Sequence, residues 1–221
     1  RSYSVTGVQT CALPISRAFE MMVDINMMRI MEILSHATNR IAEGEVLQLL
    51  NCHDADIDEQ KYFEVILRKT ATLFEAGAQL GAVLCGAASH HERALANYGR
   101  HLGIAFQIID DALDYSSSDS EIGKNIGDDL AEGKPTLPLL RAMQVGTDTQ
   151  RQALRDAIVE GGRERIGVVV DAIESTDAIE YTSRLAKEEA AKAKAALAEL
   201  PGSTYRDALA AVADFAVKRK N

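Results

Sequence analysis

Apolar positions recur at three- and four-residue spacings along almost the whole chain. From Arg17 to about Leu50, the residues Met21, Met22, Ile25, Met28, Ile33, Leu34, Ile41, Val46 and Leu50 mark one side of a helix, with Gly44 near its end. Residues 51–58 are polar and lead into Asp56-x-x-Glu59, which has the form of a capping box, so a second helix is expected to start there and run to about Cys85. Gly77 and Gly81 beside Ala78 and Ala82 predict a close approach by a neighbouring helix or ligand. Gly86 to Ser89 is a break, and the next helix is expected from His91 to Tyr115. Ser116 to Pro135 reads as a loop rich in Ser, Gly and Asp, after which Pro135 and Pro138 bracket the start of a short helix from Thr136 to Val145. Four more amphipathic segments follow, separated at Gly146, Gly161-Gly162, Ser175 to Asp177 and Pro201-Gly202. No strand-like alternation is sustained. The pattern predicts an all-α fold, with residues 17–221 forming a single helical domain.

Composition supports that reading. Tryptophan is absent, there are only 4 prolines, and hydrophobic residues make up 47% of 221, enough for one sizeable core. The longest nearly apolar stretch, Ala76 to Ala88, is interrupted by Gln79 and is too short to span a bilayer. A net charge of −9 argues against a nucleic-acid partner. Any anionic substrate must therefore be met locally, by a few placed cations. Cys11, Cys52 and Cys85 form no CxxC pair, so a reduced, cytoplasmic setting is expected. His36, His53, His90, His91 and His101 make no metal-binding spacing and read as surface or interhelical residues.

Residues 1–16 stand apart, with no helical period and no signal-type apolar run. Val5 to Ile15, VTGVQTCALPI, is identified as the translation of a common short-read sequencing adapter. The expectation is an artefactual or disordered segment joined to a chain whose true start lies elsewhere.

The chemistry concentrates between Gly103 and Tyr115, GIAFQIIDDALDY. At about 100° per residue, Gln107, Asp110, Asp111 and Asp114 fall on one stripe of an otherwise apolar helix. Carboxylates packed this closely repel one another unless they share a cation. Mg²⁺ suits them, because it binds through one or two carboxylates together with substrate phosphates. The plainer alternative is the solvated side of an amphipathic helix. Downstream, GKNIGDDLAEGKPTLP from Gly123 places Lys124 in a Gly-rich loop and Lys134 before a Pro-started helix, where both could meet a phosphate. Lys69-Thr70 sits within the second helix, and that lysine either snorkels to the surface or faces an anion.

Taken together and in this order, these pieces resemble the trans-isoprenyl (polyprenyl) diphosphate synthase family. They are Gly44-Glu45 with Gln48, Lys69-Thr70, GxxFQxxDDxLD from Gly103 to Asp114, GKNxGDD from Gly123 to Asp129, and EGKPTLPLL from Glu132 to Leu140. The surrounding IAEGEVLQLLN and YGRHLGIAFQIIDDALDY resemble the bacterial octaprenyl-forming branch. The resemblance covers about Phe19 to the C-terminus. It implies an isoprenoid-synthase-type helical bundle around a central cavity, Mg²⁺ dependence, and condensation of isopentenyl diphosphate with an allylic prenyl diphosphate such as farnesyl. It assigns Asp110, Asp111 and Asp114 to the metal, Lys69, Lys124 and Lys134 to the diphosphate, and Lys69, Thr70 and Gln107 to catalysis, and it implies a homodimer. The chain departs from the family in one large respect. The first Asp-rich motif, followed by paired arginines, has no counterpart among its early residues, where the one aspartate is Asp24, in Val23-Asp24-Ile25. The N-terminal helices of the bundle are thus expected to be missing, and little turnover is expected of this chain alone. A non-catalytic partner subunit is the alternative.

Overall fold

The structure is a computed structural model that describes residues 16–116, 127–161 and 164–219. Among the described residues every regular element is helical. The order is α1 (residues 16–25), α2 (Met28–Asn51), α3 (Glu59–Ile66), a π-helical turn (Leu67–Ala71), α4 (Thr72–Leu84) and α5 (Ser89–Ser116). Then come α6 (Asp128–Ala131), α7 (Leu137–Val145), α8 (Asp148–Glu160), α9 (Ile166–Ser175), α10 (Ala178–Ala196), a 3₁₀ turn (Leu197–Glu199) and α11 (Thr204–Lys218). The all-α expectation and the breaks after Gly86, at Gly146, at Ser175 to Asp177 and at Pro201-Gly202 match this order.

The 28-residue helix α5 is central, packed against α4 on one flank and α10 on the other. Ala105 and Ile108 of α5 are completely buried. Ile104, Ile108 and Ile109 meet Tyr62 and Ile66 of α3 and Leu137 and Leu140 of α7, forming the apolar floor beneath the acidic residues of α5. A second cluster joins Leu130, Leu139, Leu154, Ile158 and Ile173 across α6 to α9, and a third closes α5 on α10 and α11 through Leu102, Ala193 and Ala213.

Several local expectations are corrected. The first predicted helix is two helices: Asn26 sits at φ 52° and interrupts the backbone between α1 and α2. The cap of α3 is Asp58, whose side chain accepts from the Lys61 backbone N–H at 2.8 Å. Asp56 instead pairs with Arg155 at 2.6 Å. The second predicted helix is not uniform, because the π turn falls on Lys69 and Thr70. There the Thr72 hydroxyl donates to the Leu67 carbonyl, and such turns recur at functional sites. The predicted loop from Ser116 to Pro135 contains the short helix α6, entered through Gly127 at φ 79°.

Gly77 and Gly81 face open space, so the close approach predicted there is absent. The tight contacts belong to Gly44, Gly99 and Gly103. A Cβ on Gly44 would lie 2.5 Å from the Lys69 backbone nitrogen, and one on Gly103 would lie 2.7 Å from Ala71 Cα. These two glycines let α2 and α5 press on the π turn from opposite sides.

Gly44→Ala is therefore expected to cost ~1–3 kcal/mol by forcing α2 off the turn. Gly77→Ala is expected to stabilise by about 0.5–1 kcal/mol through helix propensity alone. Urea unfolding of the two variants measures both. Equal effects of one sign would contradict this packing.

Candidate active site

One cleft lies where α2, α3, the π turn, α5 and the α6–α7 connection converge. Gln48, Tyr62, Lys69, Thr70, Gln107, Asp110, Asp111, Asp129, Lys134 and Thr136 line it. Lys69, Thr70, Gln107, Asp110, Asp111 and Lys134, all singled out from sequence, thus share one wall system. Lys124 lies outside the described residues.

Asp111 is the centre of the arrangement and is only 3% exposed. The Tyr62 hydroxyl donates to its Oδ2 at 2.7 Å, and Gln107 Nε2 donates to its Oδ1 at 2.8 Å. The Thr70 hydroxyl in turn donates to Gln107 Oε1 at 2.9 Å. This relay, Thr70 to Gln107 to Asp111, fixes the side chains that the π turn and α5 bring to the cleft. Burial is the main force pushing the Asp111 carboxyl up to about 7, with the negative charges of Asp129 and Asp110 adding to it and the two hydrogen bonds opposing it. A buried carboxylate crowded by two others lacks positive charge.

The remaining acidic residues divide their tasks. Asp110 is half exposed, and its Oδ1 lies 3.3 Å from Arg219 Nη2. The Arg219 guanidinium stacks 4.0 Å over the Phe106 ring and donates to the Phe106 carbonyl at 3.0 Å. Asp114 Oδ2 accepts the Asp129 backbone N–H at 3.2 Å, which ties α5 to the start of α6. Asp129 lines the cleft. Its carboxylate meets Lys134 Nζ at 2.9 Å, and Glu132 meets the same ammonium at 2.8 Å. Burial disfavours the Lys134 charge, but the hydrogen bonds to Glu132 and Asp129 prevail and raise its pKa. The Lys134 backbone N–H donates to the Asp129 carbonyl at 2.9 Å, which fixes the turn that carries the ammonium. Lys69 does not snorkel away. It pairs with Glu45 at 2.7 Å and donates to Gln48 Oε1, both from α2.

The donor set suits a hard divalent cation: three carboxylates, all oxygen donors, with one held protonated near neutrality for want of positive charge. Among the described residues no group of three His, Cys, Asp or Glu side chains is gathered so as to hold a metal alone. Mg²⁺ requires no such cage, because it retains waters and takes phosphate oxygens.

Sequence reasoning had given Tyr62 and Arg219 no role and had named Asp129 and Gln48 only as parts of motifs. Arg219 reaches Asp110 across 109 residues of sequence, with no local signal.

Residues 3–175 match the family described as Polyprenyl synthetase. The chain belongs to that family. It is 50% identical over 205 residues to octaprenyl diphosphate synthase of Escherichia coli (strain K12), covering 92% of this chain and 64% of that protein. It is 44% identical over 205 residues to the all-trans-nonaprenyl-diphosphate synthase (geranyl-diphosphate specific) of Rhodobacter capsulatus, covering 93% and 63%. The chain thus spans slightly less than two-thirds of these curated relatives. Polyprenyl synthase from Caulobacter crescentus CB15, solved in complex with calcium and isoprenyl diphosphate, superposes with a TM-score of 0.88 at 44% identity, over 93% of this chain and 63% of that one. Heptaprenyl diphosphate synthase from Staphylococcus aureus gives 0.91 at 24% identity, over 99% and 68%, and shows the shared fold of the polyprenyl synthetases.

The Asp111 carboxyl yields a pH prediction. Folded, it keeps its proton to about pH 7, whereas an unfolded Asp loses it near 3.8. Its contribution to metal-free stability is therefore full at low pH and disappears as pH rises from about 4 to about 7. In EDTA, Asp111→Asn should melt several degrees above the parent at pH 8, with the gap closing towards pH 4. Calorimetric scans across that range check this, and a gap independent of pH would contradict it.

Proposed function

We propose that this chain carries the diphosphate-and-metal half of a trans-polyprenyl diphosphate synthase site. The observation that carries the proposal is the one cleft that gathers Asp110, Asp111 and Asp129 with Lys69 and Lys134. Carboxylates and lysines lining one cleft suit an anionic diphosphate bound through a divalent cation, Mg²⁺ on this reading. The substrates are an allylic prenyl diphosphate, farnesyl by preference, and isopentenyl diphosphate. The product is a long all-trans polyprenyl diphosphate such as octaprenyl, of the kind that becomes a quinone side chain.

In the reaction, the allylic C–O bond breaks and diphosphate leaves. The isopentenyl double bond then attacks the allylic cation, and a proton is lost from the adduct. Mg²⁺, when bound, supplies charge neutralisation at the leaving diphosphate. Asp110 and Asp111 hold it, with Asp114 fixing α6 so that Asp129 faces them. Lys69, Lys134 and, by motif, Lys124 neutralise the remaining phosphate charge. Lys69 is pre-positioned by Glu45 and Gln48 and has to exchange that carboxylate for a phosphate. The Thr70–Gln107 pair borders the reacting end of the allylic chain. The apolar floor of Ile66, Ile108 and Leu137 excludes water from the cation.

The early residues offer no second acidic cluster, so prenyl transfer by the 221-residue chain assayed alone is expected at background level. Binding of preformed Mg–inorganic diphosphate is expected to persist and to be abolished by Asp110→Ala, as read by titration calorimetry. A solvated helix side predicts instead that Asp110→Ala leaves that binding unchanged and stabilises the fold. We also read the chain as a homodimer. Phe19, Met21, Val23, Met28, Leu49 and Leu50 of α1 and α2 are exposed apolar residues that a second copy would cover. Light scattering should give twice the chain mass, and a monomer that stays soluble at high concentration would refute this.

A further inference from the structure

His53 stands just beyond the C-terminus of α2, at φ 63°. A residue with a side chain keeps this left-handed conformation only where its surroundings hold it. Here three elements do so. The His53 backbone N–H donates to the Gly133 carbonyl at 2.8 Å. Its ring Nδ1 lies 3.2 Å from the Ile158 carbonyl and 3.2 Å from the Val159 carbonyl, at the end of α8. Carbonyls only accept, so Nδ1 carries the hydrogen and the ring caps carbonyls of the last turn of α8.

The ring also fills the space that side chains would take at two left-handed glycines. A Cβ on Gly133, at φ 69°, would collide with His53 Cε1 and Nδ1, and one on Gly161, at φ 67°, would lie 2.9 Å from Cε1. Gly133 immediately precedes Lys134, whose ammonium is fixed by Asp129 and Glu132 at the cleft. The imidazole is thus a wedge joining the end of α2, the end of α8 and the turn that delivers Lys134.

We infer that His53 is a positioning residue for Lys134: by holding the Gly133 carbonyl and capping α8, it sets where the lysine ammonium enters the diphosphate cleft. The inference rests on reading Lys134 as a diphosphate contact.

The test is calorimetric binding of preformed Mg–inorganic diphosphate to the full chain, in the parent, Lys134→Ala, His53→Ala, His53→Asn and the double His53→Ala/Lys134→Ala variant. His53→Ala is expected to weaken binding about tenfold, the scale of losing a residue that orients a ligand. The double variant should bind no more weakly than Lys134→Ala alone. His53→Asn should restore most of the affinity, because its Nδ2 places an N–H where Nδ1 stands and Asn accepts the left-handed backbone. Hydrogen exchange at the Lys134 amide should accelerate in His53→Ala and return towards the parent rate in His53→Asn. If Lys134→Ala binds like the parent, the reading of Lys134 itself fails. If Lys134→Ala weakens binding but His53→Ala does not, the positioning role is overturned. It is equally overturned if the two losses multiply in the double variant. Should His53→Ala fail to fold, Gly133→Ala, which drives a methyl against the same ring, takes its place. Unchanged affinity there overturns the proposal.

Discussion

The buried Asp111 carboxyl is the constraint on which the rest of the site depends. A carboxyl removed from water beside two others is costly unless hydrogen bonds or cations compensate. Tyr62 from α3 and Gln107 from α5 supply the hydrogen bonds. The cation has to come with the ligand. The site is therefore built incomplete in charge, and on the proposed reading that deficit is what a metal and its diphosphate make good. Lys69 and Lys134, the lysines opposite, are occupied by Glu45, Glu132 and Asp129. Each side of the cleft thus arrives with internal counter-charges that a metal–diphosphate pair can replace.

Holding those groups in register falls to a few backbone devices. The π turn rotates Lys69 and Thr70 towards the cleft at a point where a regular helix would have continued its apolar stripe. Gly44 and Gly103 allow α2 and α5 to grip that turn closely enough for Gln48 and Gln107 to reach it. Asp114, one turn beyond Asp111, binds the start of α6 and so brings Asp129 to the wall. A motif that reads in sequence as three equivalent aspartates is divided by the fold into a half-exposed one at Asp110, a buried one at Asp111 and one at Asp114 that binds the start of α6.

This explains what the sequence disclosed and what it hid. Helical periodicity located α2 to α5 and α7 to α11 because each buries one apolar side, and that signal is local. The acidic stripe was legible for the same reason: four polar residues interrupted an apolar helix at helical spacing. The positive-φ break at Asn26, the choice of Asp58 over Asp56 as cap, and the π turn were not legible. They are decided by tertiary contacts, as in the pairing of Asp56 with Arg155. Gly77 and Gly81 looked like packing glycines, whereas Gly44 and Gly103 carry the close contacts, since composition does not reveal which side of a helix meets a neighbour. Arg219 on Asp110 and Tyr62 on Asp111 are long-range partners with no spacing to betray them.

On the proposed reading, a cleft short of positive charge binds diphosphate only together with a divalent cation. The most direct measurement is calorimetric titration of the chain with inorganic diphosphate, first in EDTA and then with saturating Mg²⁺. No measurable binding is expected in EDTA, with saturable one-site binding in Mg²⁺ and reversal on chelation. Equal affinity with and without the metal would show that the lysines alone hold the anion, and would contradict the metal-holding role of Asp110 and Asp111.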